Sequence, residues 1–403
     1  MTPSTSSRRK PVPRGLAHTG PVLLSYGFRP FFLAAGTWAV LAMVLWVTAL
    51  IADLPIGGSY GAPAWHAHEM LFGYSTAALA GFLLTAIPNW TGRLPVSGKP
   101  LAVLFAVWLL GRLVLIAPDL LGTTFSVSLD SIFLPLLLAI CAREVIAGRK
   151  WRDLKILAGV TALACANVGY HFLVLRSDDA GMANRLAVAA FIMLIGIIGG
   201  RIVPSFTRNW LAKREAKHLP VPYNHFDTAS LVAAFVALSA WVFVPEHLVT
   251  TSAALIAAAL QTTRLARWQG WRTGAERLVL ILHIAYASLP AGFMAIALVP
   301  SGLMDPISAL HVFTVGGIGL MTLAVMSRAT RGHTGEPLTA PTMTALSYLS
   351  LILAALLRPL AIVVPEHYMT MVSMSGLFWI AAFTLYVVEY APILLTKRKP
   401  RPE

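Results

Sequence analysis

Twelve runs of roughly twenty apolar residues follow one another at short intervals through this 403-residue chain, and they constrain its fold more than any other feature. A run of that length crosses the hydrocarbon core of a bilayer as a helix. The runs predict spans at 29–52, 65–88, 101–117, 126–147, 155–176, 184–205, 226–245, 248–264, 277–299, 306–328, 341–364 and 367–395. The third and eighth are short or alanine-rich. Only 12% of residues are charged, about half the usual share of a soluble domain. In lipid every backbone polar group must be paired within its own segment, so the expected fold is an all-α, polytopic membrane protein of about twelve helices. Its organisation reads as a disordered basic cytoplasmic leader over 1–27, a single membrane domain over 28–396 and a basic cytoplasmic tail over 397–403.

A net charge of +14 is compatible with a nucleic-acid partner, but the positive residues are scattered between apolar runs and make no single basic face. Their distribution instead reports orientation. Arg8, Arg9, Lys10 and Arg14 precede the first span, and Arg149, Lys150, Arg152 and Lys155 follow the fourth. Lys213, Arg214 and Lys217 follow the sixth, while Asp53, Asp119, Asp178, Asp179, Glu246, Asp305 and Glu366 occupy the intervening loops. By the excess of Lys and Arg on the cytoplasmic side, both termini are expected there. The two cysteines, Cys141 and Cys165, lie inside apolar runs and offer neither a disulfide framework nor a CxxC site.

Ionisable groups inside a span cost on the order of 3 kcal/mol at mid-depth, so each one is a candidate for function. Toward the outer side lie His66, His68 and Glu69 of span 2, Arg112 of span 3, Asp130 of span 4, His171 of span 5, His311 of span 10 and Arg358 of span 11. Toward the inner side lie Arg201 of span 6, His283 of span 9, Arg328 and His333 at the end of span 10, and Glu389 of span 12. A lone membrane histidine is as often a hydrogen-bonded helix contact as a ligand, and Arg201 and Arg328 are close enough to the boundary to reach the headgroups. Four histidines converging on one leaflet favour ligation. Neutral imidazole binds haem iron and copper without carrying charge into lipid, and arginines beside a haem would pair with its propionates.

The "WHAHEM" stretch, Trp65–Met70, sets a geometric limit. Residues two apart on a helix point about 200° apart, so His66 and His68 cannot grip one ion from a regular helix. Either one ligates and the other supports it, or they serve two cofactors on opposite faces. A second pattern is a repeat. His68 and His311 are each followed by glycine five residues on, Gly73 and Gly316, and by a Thr-Gly pair twenty-three residues on, Thr91–Gly92 and Thr334–Gly335. Spans 2 and 10 thus read as copies of one unit, in which the glycines allow close approach of a helix or a flat macrocycle. Histidines on spans 2 and 10 of twelve parallel, as an analogy of fold only, the haem-copper oxidases, although the copper-ligand helices of that family have no counterpart here.

The motifs "FRPFFL" (Phe28–Leu33), "WHAHEMLFGY" (Trp65–Tyr74), "GFLLTAIPNWTG" (Gly81–Gly92), "GRIVPSFTRNW" (Gly200–Trp210) and "HVFTVGGIGLMTLAVMSRATRGHTG" (His311–Gly335) together resemble the NnrS family over about residues 25 to 395. The resemblance implies a multi-pass protein of the bacterial inner membrane that carries haem and copper, responds to nitric oxide and protects against nitrosative stress. On the residues themselves, His68 and His311 are the expected axial ligands of an outer haem b, with Arg112 and Arg358 near its propionates. His66 and His171 are expected at a neighbouring metal, with Glu69 fixing the tautomer of an imidazole. His283 and His333, with Arg201 and Arg328 beside them, form an expected inner site; His333 alternatively caps the "RGHTG" turn.

The expected activity is binding, and reduction in one version, of nitric oxide or a nitrosyl species. Such a small neutral gas reaches a buried site through lipid. The sequence has no CxxCH, flavin or iron–sulfur motif, so electrons would come from quinol or a separate donor. The rival is a twelve-span transporter of a metal or anion with a histidine- and arginine-lined path, which would put polar groups near the midplane and a repeat offset of six spans. A haem sensor or assembly factor without turnover is a third reading.

Overall fold

The computed structural model describes residues 20–397. Most of the leader and the tail beyond Lys397 lie outside the described residues, and with them Arg8, Arg9, Lys10 and Arg14. The described end of the expected leader is structured: Val22–Ser25 forms a 3-10 turn, and Gly98 N donates to Leu24 O.

Twelve long helices and no strand occur among the described residues: α1 (Phe28–Ala52), α2 (Ala62–Thr91), α3 (Lys99–Ile116), α4 (Thr123–Ala147), α5 (Leu154–Leu175), α6 (Gly181–Ala212), α7 (His225–Phe243), α8 (Leu248–Ala266), α9 (Arg277–Leu298), α10 (Pro306–Thr334), α11 (Thr342–Leu360) and α12 (Tyr368–Leu395). Eleven are long and apolar enough to cross a membrane. The exception is α8, the eighth expected span, whose polar residues turn inward. Gln261 Nε2 donates to Ser230 O at 2.9 Å, and Arg264 donates from Nε to Asp227 Oδ1 at 3.0 Å and from Nη1 to the Tyr286 oxygen at 2.7 Å. Buried polar groups paired this way lower the apolarity of a helix without facing lipid.

The helices differ in how deeply they sit. The apolar window of α2 is 83% buried, and those of α6, α9 and α10 are 67%, 67% and 61% buried, against 28% for α11. These four form the interior, and α2 packs on α10 along their second halves. The first and last long helices are tied together. Arg29, buried at the start of α1, donates from Nη1 to Leu394 O at 2.7 Å and Thr396 O at 2.8 Å, satisfying carbonyls at the end of α12 that no further turn reaches.

Two local departures from the α-helix position the site. In α4 the helix breaks after Asp130 and resumes at Phe133. Pro135 explains this, because its ring clashes with the carbonyl four residues back, at Ser131. In α2 and α10 the backbone widens into π-helix immediately after a histidine, over Glu69–Tyr74 in one and Val312–Gly319 in the other. Both helices then return to α and end on a glycine at positive φ, Gly92 at 76° and Gly335 at 84°, a conformation that costs glycine nothing. The repeat read from the spacing of His68 and His311 is therefore a repeat of backbone form.

Candidate metal centre

At the mouth of α2 the chain gathers six polar side chains from four helices, none more than 3% exposed: His68, Glu69, Arg112, Asp130, Asn167 and His171. His68 Nδ1 donates to Glu69 Oε1 at 2.9 Å. Arg112 Nη1 donates to both oxygens of Glu69, at 2.8 and 2.7 Å, and Arg112 Nη2 donates to Asp130 Oδ1. Asn167 Nδ2 donates to Asp130 Oδ2 at 3.1 Å. His171 Nε2 donates to the same oxygen at 2.9 Å, while its Nδ1 accepts from the Tyr60 hydroxyl at 3.1 Å. Trp38 Nε1 donates to Glu69 Oε2 at 2.7 Å.

Glycine makes this density possible. A Cβ at Gly73 would fall 2.6 Å from Arg112 Nη1, 2.6 Å from Glu69 Oε2 and 2.8 Å from Trp38 Nε1, and one at Gly111 would fall 2.7 Å from Asp130 Oδ1. The face of Gly73 is thus filled by the ionic cluster, and Gly316 meets Ser288 of α9. Both glycines admit neighbouring side chains, and neither opens on a slot for a macrocycle.

The atom that stands out is His68 Nε2. It lies 2.9 Å from Asn167 Oδ1 and 3.2 Å from Asp130 Oδ2, and both are acceptors because the Asn167 amide nitrogen is committed to Asp130. With Nδ1 already donating to Glu69, a neutral His68 has no proton left for this side. Formal charge agrees: Glu69 and Asp130 against Arg112 leave one negative charge unbalanced where an uncompensated charge costs several kcal/mol. One further cation, a proton or a metal ion, completes the cluster. One ligand atom each from His68, Asp130 and His171 lies within 4.8 Å of the others. The separations of Asp130 Oδ2 from the two Nε2 atoms, 3.2 and 2.9 Å, bracket much of the range for donors sharing an ion with bonds of about 2.0–2.2 Å.

His66 faces the other way, as two residues apart on a regular turn requires. Its ring stacks on Trp46 at 4.4 Å between centroids, its Nδ1 is buried without a hydrogen-bond partner, and it lies within electrostatic reach of His311 and Arg358. His311 Nδ1 donates to Ile307 O at 2.7 Å, which leaves Nε2 as the lone pair able to ligate. Arg358 Nη1 is likewise buried and unpaired.

The expected pairings are therefore rearranged. His68 meets His171, with ring centroids 4.6 Å apart, whereas His311 lies on the side of α2 that His66 faces, within electrostatic reach of it. Arg112 is bound to carboxylates within the chain, whereas Arg358 keeps a free donor. On the inner side His283 shares a hydrogen bond with Thr207 at 2.8 Å and packs by Trp268, while His333 sits against Tyr26 and Phe28. The two histidines thus rest against different elements, one against α6 and the other against the start of α1. Arg201 pairs with Asp153 at 2.8 Å, and Arg328 lies over Phe206. The sequence marks Asp130 only as an ionisable group inside a span, and Asn167, Tyr60 and Trp38 enter the site from the structure alone. Asn167 precedes His171 by four residues on α5, so it shares that histidine's face, a signal present in the sequence. Tyr60, in the short 3-10 turn Gly58–Tyr60 between α1 and α2, left none.

A bundle of apolar helices that buries imidazoles and carboxylates in one ion-sized cluster defines a polytopic membrane protein with a candidate internal metal centre. The match to the family described as NnrS protein covers residues 22–398, nearly the whole chain, and the chain belongs to that family. Among curated proteins no match was found.

Proposed function

We propose that this chain is a metal-bearing protein of the bacterial inner membrane that binds nitric oxide or a nitrosyl species as part of the nitric-oxide response, with quinol or a separate protein as electron donor where the bound species is reduced. Family membership supports the nitric-oxide response. The observation that carries the metal is His68 Nε2 facing two acceptors within a cluster short of one positive charge.

His68, Asp130 and His171 would hold copper, to which their mixed nitrogen and oxygen donor set is suited. Across α2, His66 and His311 would hold haem b, with Arg358 supplying its unpaired donor to a propionate; the orphaned His66 Nδ1 and Arg358 Nη1 fit a group that the polypeptide itself does not provide. When bound, these groups supply redox-active positions for a diatomic ligand. The residues do the rest. Glu69 fixes the His68 tautomer by accepting from its Nδ1–H, the Tyr60 oxygen would accept from His171 Nδ1–H so that the Nε2 lone pair faces the ion, and Arg112 bridges the two carboxylates so that Asp130 keeps Oδ2 toward the imidazoles. Burial excludes bulk water, and with it competing ligands.

The test is metal and haem content of the purified protein. Asp130→Asn, His171→Ala and His68→Ala should each lose copper while keeping haem absorbance, and His66→Ala and His311→Ala should do the reverse. Full copper in all three of the first set would defeat the assignment and leave His68 as a doubly protonated imidazolium.

A further inference from the structure

Between α2, α6 and α10 lies a cavity of about 70 Å³ whose wall is almost wholly apolar. Ser75, Ala78, Leu79 and Phe82 of α2 line one side, and Ile318, Met321, Thr322 and Val325 of α10 line another. Counted from His68, the α2 positions are 7, 10, 11 and 14 residues on; counted from His311, the α10 positions are 7, 10, 11 and 14 residues on. That is one face of a helix, used twice. The cavity is therefore built by the same repeat that presents the two histidines, at the far end of the two π-helical segments and just beyond it, with α6 closing the third side through residues such as Phe191 and Leu194.

We propose that this cavity is a binding chamber for a small uncharged gas, an antechamber through which a diatomic molecule passes from the bilayer to the metal positions. Size selects the occupant. An apolar cavity of about 150 Å³ stays dry and takes benzene or xenon, and this one, at about 70 Å³, has room for a xenon atom or a diatomic molecule and none for a quinone ring. Water is disfavoured because a buried water needs two to four polar partners, and the hydroxyls on the wall are already used: Ser75 donates to Met70 O, and Thr322 donates to Ile318 O. Phe82, Ile195, Ile202 and Val325 are only partly buried and form the rim, which opens between helices on the side where lipid lies. A gas that partitions into hydrocarbon enters there without crossing a polar surface. Seven residues of helix separate the chamber from either histidine, about 10 Å along the axis, so one chamber serves both positions.

That the gas is nitric oxide rests on the function proposed above; the chamber itself does not. The experiment uses the full-length protein in nanodiscs or crystals, with xenon as the probe of the cavity and nitric oxide as the probe of access. Xenon should occupy the space between Leu79, Ile195 and Met321, and Ile195→Phe and Val325→Phe should each abolish it. In metal-loaded protein these two variants should slow nitric oxide association about ten-fold, a change within the usual range of association rates for variants of one site, while haem and copper content stay at the level of the unaltered protein. Xenon bound in a preparation that never carries metal would uphold the chamber and defeat the function proposed above. No xenon in the cavity, or xenon displaced by both substitutions with the association rate unchanged, would overturn the antechamber.

Discussion

Arg112 shows how much a single side chain holds in this interior. Its guanidinium spans Glu69 and Asp130, so Arg112→Met would leave two buried carboxylates without it. Loss of one partner of a buried pair costs about 3–5 kcal/mol, and the expected outcome is a large fall in melting temperature in detergent together with loss of copper. Arg112→Lys should recover stability only in part, because a point charge cannot fork to two carboxylates. Gly73→Ala keeps every charge yet drives a methyl into the cluster, at 2.6 Å from Arg112 Nη1; overpacking of this kind costs about 1–3 kcal/mol, read from the same melting curve. Outside the membrane, Asp119 accepts from the Ser59 hydroxyl, the Thr123 hydroxyl and Ser59 N, and these bonds hold its carboxyl below the usual aspartate value. Because the folded value is the depressed one, its contribution to the loop is complete above the ordinary carboxylate range and disappears as pH falls through the folded value. Protection of Ser59 N, taken relative to the intrinsic exchange rate at each pH, should accordingly fall at acid pH, and Asp119→Asn should remove that pH dependence of the protection.

At the level of elements, the π-helical turns of α2 and α10 are the devices that aim side chains. A π turn inserts one residue relative to the α-helix and shifts the facing of everything before it against everything after. Deleting Thr314, inside Val312–Gly319, should restore α-hydrogen bonding and turn His311 by about 100° relative to the chamber-lining face of α10. The expected result is loss of the haem spectrum with copper retained, measured on one sample by absorbance and metal analysis. The break in α4 works in a similar way. Without the interruption that Pro135 forces, Asp130 would lie in mid-helix, with its side chain direction set by α-helical phase.

Over the whole molecule the sequence spoke clearly about the number and extent of helices, and much less about their partners. Each of the twelve expected spans corresponds to a long helix, because lipid permits a segment of that length almost no other form. The eighth fell short in apolarity for a reason that only its neighbours reveal, since Gln261 and Arg264 spend their polar groups on α7 and α9. Closure of the bundle through Arg29 belongs to this scale too. Arg29→Ala removes bonds spanning more than 360 positions in sequence; hydrogen bonds to a charged group are worth about 1.5–3 kcal/mol, and limited proteolysis should cut earlier at the end of α12 in that variant.

What the sequence determined by itself is the material: helices that lipid requires, a small set of ionisable residues too costly to bury idly, and a repeat whose spacing already tied span 2 to span 10. Which imidazole meets which was decided only by the tertiary structure. Rotation of a helix about its axis depends on packing summed over neighbours as distant in sequence as Asn167 is from His68, 99 positions, and a single π turn changes it. His68 and His311 were therefore legible as equivalent positions, but their surroundings differ: His68 meets His171, and His311 donates to Ile307 O on the side of α2 that His66 faces.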